Sequence, residues 1–318
     1  AVFLINSGAE AGENAIKICM RQRRRSKFCI SFKNAFHGRT LGALSLTNTK
    51  KIHKEGYFKI PTKRLPYNEN ASFVLLKMLE KHNPDEIACI IMEPVQGEGG
   101  YNIPSARMVK DIRSITQHKG IPLISDEVQA GIGRTGRWWG IENFGVKPDV
   151  IAAAKALQVG ATISNRSMFP NIPGAISSTW GGGGVIDLAI GIETIRIIKR
   201  QNMLARIRKQ GDYLKKRLNE INEKTEMLKN IRGLGLMVAF DLETKRMRDD
   251  AVIEAIKNGL VMLACGKNGI RLIPPYIVEN EETDEAVGII SSVVKTCAEK
   301  GFRHTGKLCD FMDCGDAI

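Results

Sequence analysis

A lysine and an aspartate, each at the end of an apolar run, are the residues whose types and surroundings could do chemistry. Lys155 ends the run 150–154, so we expect its amine to be desolvated, which lowers the pKa and leaves a neutral amine able to condense with an aldehyde. Asp126 follows the apolar segment 121–124, and a buried carboxylate stays ionised beside a cation or donor. A protonated pyridine nitrogen is such a cation, so the pair suits pyridoxal phosphate.

Each residue also has a simpler interpretation. Lys155 could be the first polar residue after a strand, and Asp126 could be a helix N-cap. For either residue taken alone the simpler interpretation is the better one. The chemical interpretation therefore depends on the elements and motifs around the pair.

The elements that must position these residues alternate along the first half of the chain. Apolar runs interpreted as strands are 1–5, 28–32, 87–92, 122–125 and 150–153, with amphipathic stretches after or between most of them. Strands buried on both faces and separated by helices predict an α/β domain with a mainly parallel sheet. Ligands bind beyond the carboxyl ends of such strands, where Lys155, Asp126 and Glu93 fall. We expect the three to converge.

The second half predicts a smaller α+β domain. Helical patterns cover 186–200, 214–227 and 285–300, and strands are expected at 234–242, 260–264 and 270–273. We predict a large domain over 1–190, a small C-terminal domain over 191–300 and an unassigned tail over 301–318. Because the chain opens on a strand at Ala1 rather than on Met, we expect the N-terminal part of the large domain to be missing.

Composition sets the outer limits. The chain has 318 residues, of which 43% are hydrophobic, and a formal net charge of +13. No apolar run approaches the roughly 20 residues of a membrane span. The basic cluster of Arg21, Arg23, Arg24, Arg25 and Lys27 follows an amphipathic stretch, where cations suit a helix C-terminus. Without an aromatic-interleaved basic motif we predict neither nucleic-acid nor membrane partners.

The cysteines predict a reducing environment. The seven of them, Cys19, Cys29, Cys89, Cys265, Cys297, Cys309 and Cys314, show no C-x-x-C spacing, and several lie inside apolar runs. This pattern is typical of buried thiols in a cytoplasmic protein. Cys309 and Cys314 with His304 fit no common zinc spacing, so we predict no metal.

A glycine-rich segment matches a dinucleotide-binding pattern by letter only. Residues 131–136 read G-x-G-x-x-G after a predicted strand. A nicotinamide fingerprint must open a helix and be followed about 20 residues on by an acidic residue. The residues after Gly136 do not read as a helix, so we interpret the segment as a loop.

Several motifs in order carry a resemblance to a known family. The motifs are Ser7-Gly8-Ala9-Glu10-Ala11, Phe36-His37-Gly38-Arg39-Thr40, Glu93 to Gly100, Asp126-Glu127-Val128-Gln129, Lys155, Ser178-Thr179-Trp180-Gly181-Gly182 and Arg232-Gly233-Leu234-Gly235-Leu236. Together they span most of the chain, which resembles the class III pyridoxal-phosphate aminotransferases. The resemblance implies the α/β fold called fold type I.

The resemblance also implies a role for each residue around the cofactor ring. Lys155 matches the lysine that forms the Schiff base and shuttles protons, and Asp126 matches the partner of the pyridine nitrogen. Val128 and Phe36 match the residues on the two ring faces. Gln129 matches the residue that hydrogen-bonds the phenolic oxygen.

The phosphate contacts imply an oligomer. Gly8 and Ala9 match residues whose backbone N–H groups bind the phosphate, an arrangement that helix N-termini favour on physical grounds. Thr179 matches the threonine that reaches the phosphate held by the neighbouring subunit. The resemblance therefore implies a homodimer with shared active sites.

Three residues bear on the substrate. Arg39 resembles the residue that holds a carboxylate far from the reacting carbon, and Arg271 the residue that binds the α-carboxylate. Glu98 matches the family partner of that second arginine. A guanidinium fork suits a carboxylate, although either arginine could instead close a structural salt bridge.

The resemblance implies an amino transfer from an ω-amino acid of the 4-aminobutyrate type to a 2-oxo acid such as 2-oxoglutarate, through the Lys155 Schiff base. Residues 156–162 lack the longer glycine-rich segment of many acetylornithine and ornithine enzymes, which favours the 4-aminobutyrate or lysine 6-aminotransferase branch. The alternatives are a lysine 6-, ornithine or acetylornithine aminotransferase, a racemase or epimerase on the same scaffold, and a truncated chain without turnover.

Overall fold

The fold is taken from a computed structural model of the chain, and the structure describes residues 1–178 and 182–300. Within these ranges the chain order is β1 (Val2–Ile5), α1 (Gly8–Gln22), β2 (Phe28–Phe32), α2 (Leu41–Leu46), β3 (Thr62–Leu65), α3 (Ala71–Leu79), β4 (Ile87–Met92), α4 (Ala106–His118), β5 (Leu123–Asp126), β6 (Val150–Ala153), β7 (Gly160–Ser164), α5 (Val185–Arg200), α6 (Met203–Thr225), β8 (Lys229–Leu234), β9 (Met237–Asp241), α7 (Lys245–Lys257), β10 (Leu263–Cys265), β11 (Gly269–Leu272) and α8 (Asn280–Lys300). The alternation in the first half is that of an α/β protein.

The larger sheet is mainly parallel, as predicted. Within the described residues seven strands form it in the order β1-β7-β6-β5-β4-β2-β3. The pairs from β3 through β2, β4 and β5 to β6 are parallel, whereas β7 runs antiparallel to both β6 and β1. All residues of β2 and β4 are buried, which explains why both sequences are apolar except for Ser31 in β2.

Helix α1 packs against this sheet through small and branched side chains. Its buried positions include Ala11, Ala15, Ile16 and Ile18, a spacing that places them on one side of a helix. Ala15 and Ile18 join a core cluster with residues of β4, β5 and β6. The helix is therefore packed against the sheet, and it begins at Gly8, after the two residues Asn6 and Ser7 that follow β1.

The smaller sheet is antiparallel, with strand order β10-β11-β9-β8. The strand predicted over 234–242 is wrong in its extent. Leu234 ends β8 and Met237 begins β9, because Gly235 takes a left-handed backbone (φ 53°) that turns the chain into a hairpin,. Phe240, Val238 and Ile270 lie in the core cluster of this sheet with residues of α6 and α8.

The chain divides into two compact units. The first comprises 1–98, 103–133 and 137–203, and the second comprises 99–102, 134–136 and the described residues from 204 onward. Helix α5 groups with the first unit, where a predicted boundary at 190/191 would have divided it, because Gly191 lies against the carbonyl oxygen of Leu157. In the described part of the chain, no helix combines the length and apolar character needed to cross a bilayer.

Candidate active site

A cavity of about 580 Å³ lies in the first unit where the predicted strand ends converge. Asp126 ends β5, Lys155 follows β6, and Glu93 follows β4. The predicted site residues that line the cavity are Gly8, Ala9, Phe36, Arg39, Glu98, Asp126, Val128, Gln129 and Lys155. The structure thus brings these residues together, while the role of each stays a prediction.

Lys155 lies in the cavity wall with a left-handed backbone (φ 49°). Such a conformation costs a non-glycine residue about 1–3 kcal/mol. The surrounding chain holds it, since the Lys155 carbonyl oxygen accepts hydrogen bonds from Gln158 N at 2.8 Å and from Gln158 Nε2 at 3.0 Å. The expected desolvation of the amine is wrong for this structure. Lys155 is exposed, because the buried strand ends at Ala153 and the chain then opens into the cavity.

Asp126 is held by a histidine that the sequence interpretation overlooked. His37 Nδ1 lies 2.7 Å from Asp126 Oδ2, and the His37 side chain is fully buried. The other carboxylate oxygen, Oδ1, accepts a hydrogen bond from Val128 N at 3.1 Å. Among the described atoms His37 Nε2 is buried without a hydrogen-bond partner. The available sequence signal was the position of His37 directly after Phe36, within a motif already singled out.

Glu93 is a second buried carboxylate at the cavity, and it received no role from the sequence. Its two oxygens accept hydrogen bonds from Phe36 N at 2.9 Å and from Gly97 N at 2.8 Å. Burial raises the pKa of Glu93 to about 7, with His37 lowering it and Asp126 raising it. The side chain therefore ties together the segments that carry Phe36 and Gly97.

The N-terminus of α1 forms one end of the cavity. Ser7 is the N-cap, and its hydroxyl accepts a hydrogen bond from Glu10 N at 3.3 Å. The N–H groups of Gly8 and Ala9 precede the first helical hydrogen bond, which Ala11 N donates to Ser7 O, so they remain available to an anion. A Cβ on Gly8 would lie 2.6 Å from Val128 Cγ1. The glycine therefore permits the close approach of helix and β5 loop.

The loop after β5 places Gln129 in the cavity and anchors itself with a third carboxylate. Gln129 Oε1 lies so close to Gly97 that a Cβ there would overlap it. Glu127 points away into the protein, where its oxygens accept hydrogen bonds from Gly140 N at 2.7 Å and from Ile141 N and Ser125 Oγ at 2.9 Å. Burial raises the pKa of Glu127 to about 7.

Two predicted substrate residues, Arg39 and Glu98, share the cavity. Arg39 is exposed and Glu98 is half-buried. Burial lowers the pKa of His53, Arg39 lowers it further, and Glu98 acts in the opposite direction. His53 therefore lies within the electrostatic reach of both residues, which sequence reasoning did not indicate.

Two predicted site residues, Arg271 and Thr179, remain to be described. Arg271 belongs to the second unit, where it is 9% exposed on β11, between β9 and β10. Thr179 lies outside the described residues, as do His304, Cys309 and Cys314. Over the described ranges, no group of three or more histidines, cysteines and carboxylates could hold a metal ion.

The cavity can hold a planar ring with an anionic group. The carboxyl group of Asp126, buried beside His37, can pair with a cationic ring nitrogen,. Phe36 and Val128 offer apolar surface, the start of α1 offers N–H donors to a phosphate, and Lys155 offers an amine. The donor set thus fits pyridoxal phosphate.

The family model, the related sequences and the solved structure that this chain resembles are all of aminotransferases. The model of the family described as aminotransferase class-III matches residues 1–294. The acetylornithine aminotransferase of Bacillus cereus is 36% identical over 300 residues, which cover 93% of this chain and 75% of that protein. The acetylornithine aminotransferase of Archaeoglobus fulgidus is 37% identical over 293 residues, covering 91% and 74%. The solved lysine aminotransferase from M. tuberculosis has a TM-score of 0.88 at 28% identity, covering 93% of this chain and 75% of that chain.

Proposed function

The chain belongs to the class III aminotransferases, and we propose that within this family it moves the terminal amino group of an acetylornithine-type donor to a 2-oxo acid such as 2-oxoglutarate. As a member of the class it is a transaminase that depends on pyridoxal phosphate. The observation that carries the choice of donor is the identity of 36% and 37% to enzymes named acetylornithine aminotransferase. The expected preference for 4-aminobutyrate gives way to this alternative.

Bound pyridoxal phosphate supplies an aldehyde that condenses with amines and a ring that takes up the electron pair released beside the nitrogen. We infer that Gly8 and Ala9 bind its phosphate and that Phe36 and Val128 enclose the ring. Gln129 would donate to the phenolic oxygen. These assignments are supported by the lining of a single cavity.

Lys155 and Asp126 carry the proton chemistry in this proposal. Asp126 holds the proton on the pyridine nitrogen, and His37 fixes the carboxylate in place at 2.7 Å. In the donor half-reaction Lys155 Nζ removes the proton from the substrate carbon that bears the amino group. In the second half-reaction it returns a proton to the carbon of the 2-oxo acid that receives the amino group. An exposed lysine in an open cavity has the freedom to reach both carbons.

Substrate selection falls to the arginines and to Glu98. In acetylornithine the reacting amine lies at the opposite end from the carboxylate, and Arg39 at the cavity offers that carboxylate a guanidinium fork. We propose that Arg271 binds the α-carboxylate of the 2-oxo acid and that Glu98 pairs with Arg271 when the donor is bound. One site could then accept two differently charged substrates in turn.

Lysine is the second candidate donor. The lysine aminotransferase from M. tuberculosis supports it through its TM-score of 0.88. Its identity of 28% is lower than that of the acetylornithine enzymes, which is why we place it second.

We also propose that the enzyme is a cytoplasmic homodimer. The five described cysteines are free, which suits a reducing compartment. Thr179 matches the residue through which the neighbouring subunit would complete the phosphate site. Sedimentation of the purified enzyme tests whether it is a dimer.

The donor is tested by incubating the enzyme with pyridoxal phosphate and 2-oxoglutarate and following glutamate. Acetylornithine, ornithine, lysine and 4-aminobutyrate are compared at equal concentrations, and the enantiomers of each amino acid are followed in parallel. We expect acetylornithine to give the highest kcat/KM. A higher value for lysine or 4-aminobutyrate would reject the proposed donor, and enantiomer exchange without glutamate would indicate a racemase.

A further inference from the structure

A second cavity, of about 640 Å³, lies at the opposite end of α1 from Gly8. Fifteen helical residues separate the two ends, which is roughly 20 Å along the axis. The arginines of the basic cluster line this second cavity, namely Arg21, Arg23, Arg24 and Arg25. The four arginines of the cluster therefore line one cavity, which is remote from the active-site cavity.

Arg23 is the structural member of the cluster. Its guanidinium donates to three backbone carbonyl oxygens, from Nε to Ile87 at 2.7 Å, from Nη1 to Gly120 at 2.6 Å and from Nη2 to Pro84 at 2.6 Å. Nη2 also lies 3.4 Å from the carboxylate of Asp85, the one acidic residue in the described cavity wall. The acid is thus already paired, and Arg23 forms a fixed back wall.

The other arginines, Arg21, Arg24 and Arg25, lie on either side of Arg23 in the sequence. Ser26 N donates to Arg23 O at 2.9 Å and closes a turn with Arg24 and Arg25 at its tip. Arg21 lies in the last turn of α1. All three of these side chains belong to exposed residues. Among the described residues none of the three forms an ion pair or a hydrogen bond through its guanidinium.

The helix dipole accounts for only part of this arrangement. A helix C-terminus favours a neighbouring cation by about 0.3–1 kcal/mol. That effect explains a single cation at the helix end. It does not explain why a turn carries two further arginines, or why three guanidinium groups without a counter-charge line one cavity. Mutual repulsion among three cations opposes their clustering, and a bound polyanion would remove it.

A second wall of the cavity is mainly apolar. Met168, Pro170 and Ile172 line it together with the polar residue Asn171, and Ile172 is 66% exposed. Gln22 Nε2 ties this wall to the helix by donating to Ser167 O at 2.9 Å. The cavity therefore offers a cationic side and an apolar side, within the size range of sites for small organic ligands.

We propose that this cavity, lined by Arg21, Arg24 and Arg25 and by Met168, Pro170 and Ile172, binds a polyphosphate group. Guanidinium forks match phosphate oxygens in geometry and charge. The apolar wall can pack against a base, so a nucleoside triphosphate uses both sides. Inorganic triphosphate has the same anionic chemistry without the base.

The test is isothermal titration calorimetry of the enzyme saturated with pyridoxal phosphate, so that the predicted phosphate site at Gly8 is already filled. ATP and inorganic triphosphate are titrated separately. The variants are the triple Arg21→Ala/Arg24→Ala/Arg25→Ala and the charge-preserving triple Arg21→Lys/Arg24→Lys/Arg25→Lys. A matched control removes three exposed cations of α6, in Lys209→Ala/Lys216→Ala/Lys224→Ala, which has the same net charge as the first triple.

We expect the wild type and the α6 control to bind triphosphate equally, and the alanine triple to bind at least about tenfold more weakly. The lysine triple should fall between them, because charge remains while the fork is lost. Tighter binding of ATP than of triphosphate assigns the base to the apolar wall, and equal binding assigns inorganic polyphosphate as the ligand. Absence of binding to the wild type, or equal loss in the α6 control, overturns the proposal.

Discussion

His37 Nδ1 lies 2.7 Å from Asp126 Oδ2, and both side chains are buried at the wall of the cavity that holds Lys155. The two residues are 89 positions apart, so the contact depends on the fold. A buried carboxylate with one N–H donor from the backbone and one imidazole neighbour is fixed in position. The relationship makes the orientation of Asp126 depend on His37.

The first prediction concerns this dependence. His37→Ala removes the imidazole and leaves Asp126 with the Val128 N–H as its remaining protein donor among those described. We expect the transamination rate to fall by about 10- to 100-fold and the cofactor to bind more weakly, in line with about 1–3 kcal/mol for a lost charged hydrogen bond.

A conservative replacement separates positioning from general disruption. His37→Asn keeps an amide donor near Nδ1, so we expect it to recover part of the rate and to shift the pH profile less than alanine does. Equal losses in both variants, with a lowered thermal midpoint and an unchanged pH profile, would indicate a purely structural role.

The second prediction concerns the close contact between α1 and the β5 loop. In Gly8→Ala the new Cβ would lie 2.6 Å from Val128 Cγ1, so either the helix start or Val128 must move. We expect affinity for pyridoxal phosphate, measured by fluorescence titration, to fall at least about tenfold.

Gly12→Ala in the same helix is the matched control. Its Cβ would meet the His37 carbonyl oxygen at 3.7 Å, an ordinary contact, and alanine in a helix interior is favoured over glycine by about 0.5–1 kcal/mol. The control should bind the cofactor normally. Normal binding by Gly8→Ala would contradict the role given to the helix start.

The third prediction is a pH dependence of stability that arises from Glu127. Burial raises the pKa of this side chain from an ordinary value of 4.5 to about 7. Between these values the folded protein retains a proton that the unfolded chain releases, so the contribution of Glu127 to stability falls as pH rises from about 4.5 to about 7. Below about 4.5 the contribution is fully present.

Glu127→Gln removes this titration and places an amide group where Gly140 N donates. We therefore expect the variant to have a lower free energy of unfolding than the wild type, and to melt at a lower temperature. The difference in unfolding free energy should shrink between pH 5.5 and pH 8 by an amount on the order of 1–3 kcal/mol. Glu93 titrates in both proteins and cancels in the difference. A gap that widens with pH would refute the assignment.

The fourth prediction concerns Arg271. Arg271→Lys keeps a positive charge but loses the bidentate fork, so we expect KM for 2-oxoglutarate to rise at least about tenfold with a smaller change in the donor half-reaction. Single-turnover measurements of the two half-reactions separate these effects. A larger loss in the donor half-reaction would assign Arg271 to the donor instead.

The sequence predicts those strands whose burial on both faces leaves an apolar run, as in β2 and β4. It fails for β3, whose residues Lys63 and Arg64 are tolerated because the strand lies at the sheet edge beside β2. It also fails for β7, where small residues such as Gly160 and Ala161 replace a continuous apolar run. Tertiary contacts decide whether a segment becomes an edge strand, or a strand that packs through small side chains. Local periodicity does not contain that information.

The candidate site, like the fold, could be predicted from the sequence only in part. Residues at the carboxyl ends of predicted strands, such as Asp126 and Lys155, follow from the pattern because parallel strand ends meet at one sheet edge. The partnership of His37 with Asp126 does not follow, since it requires the path of the chain after β2. Nor does the exposure of Lys155, because an apolar approach in sequence does not state where the chain leaves the sheet.

The most direct test of the account is the rate of glutamate formation from acetylornithine and 2-oxoglutarate by Lys155→Ala. The variant lacks the amine that would move the proton, and such groups contribute about 10²–10⁴-fold to rates. The control is Lys147→Ala, another exposed lysine but one outside the cavity lining. We predict a loss of at least about 100-fold for Lys155→Ala, with the cofactor still bound without a covalent bond, and a normal rate for Lys147→Ala. A Lys155→Ala enzyme that forms glutamate at the wild-type rate would contradict the account.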